Sequence, residues 1–228
     1  MELQQNLELI YDVDAVLRGQ GADASLVRKR KPALVEIAEQ ARQASITLIH
    51  PKVVYQEYTV EGNLHDTLLL EGSRRLKNKM ITQHLANSKK LIVLLVTIGE
   101  ELEQHVANIW DTSMVYALAL DGAGSAAVEA LANAACRYFE QQAAERGWKT
   151  SIPFSPGMLG WPVEEGQPQI FQLLSEATSL VKLTPSYIIL PKKSMTLLLG
   201  MGSDLQPTGK PCDYCMMQVS CKYQEHYT

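Results

Sequence analysis

Residues Leu91 to Ile98 read LIVLLVTI, an unbroken apolar run between Lys90 and Gly99. Successive side chains of a strand point to opposite faces, so a strand that is apolar at every position has no side to offer to water. The run predicts a central strand over Lys90 to Gly99, with a packed layer on each face. It is far shorter than the roughly 20 residues that a bilayer-spanning helix needs. The 228-residue chain is 46% hydrophobic, enough for one large core or two small ones. A net charge of −4 with no long basic block argues against a surface that tracks nucleic-acid phosphates. The start, MELQQNLELI, lacks the basic-then-apolar pattern of a signal peptide, so a soluble, cytoplasmic chain with no membrane partner is expected.

The other elements group around that strand. Val13 to Gly19 reads as a short helix, and Leu26 to Ala44 as a longer one with an apolar stripe at Leu26, Leu34, Ile37, Ala38 and Ala41. Ile46 to Leu70 is rich in β-branched and aromatic residues and reads as extended chain with a turn at Gly62-Asn63. Helices are predicted over Leu76 to Ala86 and over Glu100 to Ile109, the second with acidic residues at its positive end. Ser113 to Arg146 is alanine-rich and helical, and Gly122 and Gly124 are read as interrupting it into a helix pair. Gln167 to Glu176 is helical, followed by strands over Val181 to Leu190, broken near Pro185, and Met195 to Met201. The fold class expected is α+β: helices framing a mostly antiparallel mixed sheet, with a small C-terminal cysteine-rich appendage. The division is 1–203, with N-terminal helices over 1–45 and a core over 46–203, then a linker and tail over 204–228.

Two stretches offer chemistry. PFSPGMLGWP, Pro153 to Pro162, holds a Ser-Pro-Gly turn and a Trp-Pro pair before an acidic helix start. Proline stiffens φ and glycine permits close approaches, so this is a shaped loop: either a plain connection or a binding site. The tail reads Cys212-x2-Cys215-x5-Cys221-x4-His226. CxxC supplies two thiolates from one turn, and Cys212, Cys215, Cys221 and His226 would complete a tetrahedral zinc site. An iron–sulfur cluster is the competing occupant, with Cys136, His226 or a partner's residue as fourth ligand; free thiols are the plain alternative. Lys192-Lys193 is read as a solvated loop, or else a clamp for an anion. The basic run Arg28 to Lys31 is read as a solvated face. No HExxH, GxSxG or GxxxxGK[ST] pattern is present.

Three segments, LIVLLVTIGEELEQHV with DGAGSAAVEALANAA, SPGMLGWPVEEGQPQIFQLL, and LTPSYIILPKKSMTLLLGMG, together resemble the activation (reactivation) domain of cobalamin-dependent methionine synthase in its stand-alone form, over roughly residues 50 to 203. The resemblance implies a fold that binds S-adenosylmethionine and docks on a corrinoid-binding protein or cobalamin-dependent methyltransferase, with a reductase as electron donor and the cobalamin carried by the partner. It implies a ligand along Pro156, Gly157, Met158 and Trp161 and along Thr184, Ser186 and Tyr187, with Glu129 as an acidic contact. Where that family carries an arginine and a tyrosine in the loop, this chain has Pro153 and Met158. That removes a planar guanidinium suited to a carboxylate and an aromatic surface, which leaves Trp161 or Tyr187 to supply the ring. The alternative is a non-catalytic scaffold, or an iron–sulfur or zinc electron-transfer module of a corrinoid system, that has lost S-adenosylmethionine binding. A self-sufficient methionine synthase is not expected, because 228 residues leave no room for separate homocysteine, folate and corrinoid domains.

Overall fold

A computed structural model describes residues 1–3, 7–174, 180–205 and 209–214. Six strands form one sheet in the order β3-β2-β1-β4-β8-β5, and every ladder in it is antiparallel. The strands are β1 (Lys52–Leu64), β2 (Thr67–Leu70), β3 (Arg74–Lys77), β4 (Lys90–Thr97), β5 (Lys149–Thr150) and β8 (Ser194–Gly202). A separate hairpin pairs β6 (Lys182–Leu183) with β7 (Ile189–Leu190). Seven helices among the described residues complete an α+β fold: α1 (Val13–Gly19), α2 (Ala24–Arg30), α3 (Pro32–Ser45), α4 (Lys79–Leu85), α5 (Glu101–Ile109), α6 (Met114–Glu145) and α7 (Val163–Leu174).

The apolar run is the middle of this sheet, and it is covered on both sides. Ile92, Leu94 and Val96 of β4 pack with Leu197 and Leu199 of β8 against Ala127, Leu131, Ala135 and Phe139 of α6. Leu91, Val93 and Leu95, alternating with them, face Phe154, Trp161, Ile170 and Leu173 on the other side. Residues Leu91 to Val96 are all fully buried. Each contributes on the order of 1.5–3 kcal/mol from burial alone.

Four local readings change. First, α6 is a single helix of 32 residues, not a pair broken at Gly122. Its glycines are contact points: a Cβ on Gly19 of α1 would lie 2.2 Å from the Gly122 carbonyl oxygen, and one on Gly122 would lie 2.7 Å from the Val16 oxygen. The two backbones touch where side chains are missing, and the helix runs on because small residues keep its hydrogen-bond ladder intact while the neighbour approaches. This helix is also long and apolar enough to cross a membrane by length and composition, yet 61% of that window is buried inside the fold. Second, the predicted second helix is two, α2 and α3. Pro32 starts α3 and disfavours a helical Lys31, whose ψ is 63°. Leu26 is consequently exposed rather than part of a buried stripe.

Third, Gly62-Asn63 is not the turn. β1 runs through it with a register shift between Val60 and Gly62, and the chain reverses at His65, whose φ is 53°. Fourth, β3 occupies residues assigned to the start of a helix. Asn78 ends it by capping α4, its Oδ1 accepting from the Ile81 N–H at 3.0 Å.

Candidate functional site

The shaped loop is built from the sheet edge outward. After β5 the chain continues along β8, exchanging Phe154–Leu198 backbone hydrogen bonds at 2.9 and 2.8 Å, and then leaves the sheet at Ser155. Gly157 and Gly160 adopt φ of 100° and 81°, which lets the loop close on itself. Gly157 N–H donates to Trp161 O at 2.8 Å, and Trp161 N–H donates to Met158 O at 2.9 Å. Asn78 Nδ2, on the residue that caps α4, donates to Gly160 O at 2.8 Å. On the other flank, a Cβ at Gly166 of α7 would lie 2.8 Å from both Pro156 and Trp161 ring atoms, so only glycine lets α7 seat against the loop.

The predicted site residues fall into three places. Pro156, Gly157, Met158 and Trp161 are together, but Trp161 is fully buried, with its ring in the core beside Ile170 and Leu173. Among the described residues, its buried indole Nε1–H meets no hydrogen-bond partner. Met158 Sδ accepts from the Ser155 N–H at 3.2 Å. Thr184, Ser186 and Tyr187 form the tip of the β6–β7 hairpin. There the Thr184 and Ser186 hydroxyls lie 3.1 Å apart, and Thr184 Oγ1 accepts from the Ile188 N–H at 3.0 Å. Tyr187 sits at φ 63° and is 38% exposed, so its ring is the accessible aromatic surface. Met158, Trp161, Leu183 and Ile189 belong to one core cluster, which puts loop and hairpin on the same face of the sheet.

Glu129 is elsewhere. It lies on α6, two turns beyond Gly122, on the face that meets α1, with the sheet between it and the loop. Burial raises its carboxyl above the ordinary value of 4.5, and the Arg18 charge only partly offsets this. Cys136 is also a residue of α6, on the side packed against the sheet, where burial pushes its thiol up to about 12. Cys212 stands on the opposite face, in a 3-10 turn over 211–214. Cys215, Cys221 and His226 lie outside the described residues, and among the described residues no group of three metal-ligating side chains forms.

Two features escape sequence reasoning. Lys193 is not solvated: its Nζ donates to Ser125 Oγ at 2.8 Å and pairs with Asp121 Oδ1 at 2.9 Å, with the side chain only 13% exposed. Its N–H donates to Glu103 Oε1 at 2.8 Å, so Lys193 ties β8 to α5 and α6. Near it, a groove of about 1020 Å³ opens past the end of β4, between the start of α5 and the base of the β6–β7 hairpin. His50 Nε2 and Glu101 Oε2 lie 2.6 Å apart on its wall, with Lys52 and Lys182 nearby. Only the acidic first turn of α5 hinted at a polar opening there. The run Arg28 to Lys31 is exposed as expected, with Arg28 paired to Asp14 at 2.6 Å.

No family model and no curated protein matches this chain. Among solved structures, it is similar to the crystal structure of the MetH reactivation domain bound to AdoHcy, with a TM-score of 0.57 at 14% identity, covering 79% of this chain and 68% of that one. At that identity the likeness is one of overall fold.

Proposed function

We propose that this chain is a cytoplasmic accessory protein for the reductive activation of a corrinoid methyltransferase. It would bind S-adenosylmethionine or a related adenosyl ligand on the face shared by the Pro156 loop and the β6–β7 hairpin. The observation that carries the reading is the fold held in common with a reactivation domain solved with AdoHcy, over 79% of this chain. Fold alone does not fix function, so the weight rests on the site the fold brings with it. The Pro156 loop and the strands of the β6–β7 hairpin pack into one core cluster on the same face of the sheet.

In this reading a reductase supplies one electron to the partner's cob(II)alamin, and the cob(I)alamin formed takes the methyl group from the sulfonium, leaving S-adenosylhomocysteine. This chain's residues orient the donor. The exposed Tyr187 ring offers a stacking surface for a purine, and the Thr184 and Ser186 hydroxyls offer partners for ribose. With Pro153 and Met158 in the loop, no guanidinium grips the ligand's carboxylate there. The residues thus fit the adenosyl end better than the amino-acid end, and S-adenosylmethionine and S-adenosylhomocysteine should bind with similar, modest affinity. Glu129, behind the sheet, is not part of this contact set; it serves the α1–α6 interface.

The tail over 204–228 is proposed as a separate small module. Cys212, Cys215, Cys221 and His226 would hold zinc, or the cysteines an iron–sulfur cluster; zinc would be a structural clip and a cluster an electron relay. Anaerobic incubation with a corrinoid methyltransferase, a reductant and S-adenosylmethionine tests the function. Conversion of the cob(II)alamin spectrum to that of methylcobalamin, dependent on this chain, is the expected result. Equal conversion without the chain would remove the proposal.

A further inference from the structure

The groove of about 1020 Å³ past the end of β4 takes no part in the proposed adenosyl site, which lies at the hairpin tip and the Pro156 loop. Its volume is that of a pocket for a small organic molecule, for which about 300–1,000 Å³ is usual. Its charges divide by chain segment. Glu100, Glu101 and Glu103 come from α5 and the residue that leads into it. Lys52 comes from the start of β1, in register with Thr97 of β4, and Lys182 comes from β6. Leu180, Val181, Leu190 and Pro191 add an apolar stretch at the base of the hairpin.

Two of the acids already have partners. His50 Nε2 lies 2.6 Å from Glu101 Oε2, which ties the lead-in of β1 to α5, and Glu103 Oε1 accepts from the Lys193 N–H at 2.8 Å. These contacts hold α5 in place. They leave Glu100, Lys52 and Lys182 with no ion pair among the described residues. An ion pair from Lys182 to Glu100 would bridge the groove; without one, both signs of charge stay open to a ligand. A simple anion would meet the carboxylates of α5, and a simple cation would meet the two lysines. Like charges brought together cost binding, so a molecule carrying both signs suits this lining best.

We propose that the groove is a binding site for a zwitterion with an apolar body, of the class of a short peptide with free termini. Its ammonium lies against the carboxylates of α5, Glu100 foremost. Its carboxylate is held by Lys52 and Lys182, and its apolar side chains lie on Leu180, Leu190 and Pro191. The site is separate from the adenosyl face and stands whether or not that face binds its ligand.

An NMR titration of the full chain with the dipeptide Leu-Leu tests this, beside the N-acetyl and C-terminal amide forms of the same dipeptide. Amide shifts at Gly99, Glu100 and Lys182 should saturate with a Kd of about 1 mM, the scale of two exposed ion contacts and a little apolar burial. Each blocked form has lost one charge and should bind about threefold more weakly, as should Leu-Leu to Lys52→Ala or Lys182→Ala. Glu100→Gln should weaken Leu-Leu to a similar extent and leave the N-acetyl form unaffected, which separates a lost ammonium contact from a damaged groove. All three side chains are exposed, so these variants keep the fold. No saturable shift, or blocked forms that bind as well as the free dipeptide, overturns the site. Saturable shifts at Gly157 and Tyr187 in place of the groove residues would put the dipeptide on the adenosyl face and overturn it equally.

Discussion

Replacing Gly122 by alanine tests how closely α1 sits on α6. By helix propensity alone, glycine to alanine inside a 32-residue helix should stabilise by about 1 kcal/mol. The structure predicts the opposite sign. The added methyl would lie 2.6 Å from Gln20 Cγ, 2.7 Å from Val16 O and 3.1 Å from Gln20 N. Two of these are backbone atoms, which no rotamer change can move aside. Relief requires α1 to lift off α6 and so loosens Val16, Leu17, Ala123 and Ala126, which are buried together. Overpacking of this kind costs about 1–3 kcal/mol, and the lost burial adds to it. The net expectation is a loss of about 2 kcal/mol, or roughly 4–8 °C in Tm for a chain of this size. Gly124→Ala is the matched control. Its methyl would meet Leu102 Cδ2 at 2.8 Å and Lys193 Cε at 3.3 Å, both flexible side-chain atoms, so its Tm should stay within about 2 °C of the parent. Thermal melts followed by circular dichroism read both. A Gly122→Ala variant as stable as Gly124→Ala would refute the close backbone contact.

Other outcomes follow from the same geometry. Gly166→Ala should weaken ligand binding more than stability, because its methyl pushes on Pro156 and Trp161; unaltered affinity would show that the loop is not held by α7. Asn78→Ala should cost about 1–2 kcal/mol in urea denaturation, since it removes both the cap of α4 and the anchor on Gly160 O. Glu129 has a folded-state pKa above its ordinary value of 4.5, so folding favours its protonated form. Stability is thus fully present below 4.5 and is lost as pH rises through the folded value. Glu129→Gln should therefore raise Tm at neutral pH and leave it nearly unchanged in acid; the reverse order would show that Arg18 outweighs burial. Cys136, with its thiol pushed to about 12, should resist iodoacetamide in the folded chain near the ordinary thiol value of 9.0, and prompt labelling would contradict its burial.

Much of the architecture was legible because it is written in local pattern. The two-sided apolar run could only be a covered strand, and β4 is one. Val13 to Gly19 reads as a short helix, and α1 spans the same residues, capped by Asp12, whose Oδ1 accepts from the Ala15 N–H at 2.8 Å. What escaped was set by partners distant in sequence. Gly122 looked like a breaker because its purpose, contact with Gly19, lies about a hundred residues away. Trp161 looked like a ligand surface because nothing in the loop reveals that α7 folds over it. β3 was hidden because Arg74 to Lys77 holds a single buried side chain, Leu76, too little to show a period of two, and the helix reading began at that residue. The hydrogen bond from the Leu159 N–H to Tyr214 O joins the chain's tail to its loop and has no local signature at all.

The central claim is that the loop-and-hairpin face holds an adenosyl ligand. Anaerobic equilibrium dialysis of the full chain against S-adenosylhomocysteine tests it most directly, with Tyr187→Ala beside it. Saturable one-site binding, weakened severalfold when the Tyr187 ring is removed, is the predicted result. Absence of saturable binding, or binding indifferent to Tyr187, would contradict it.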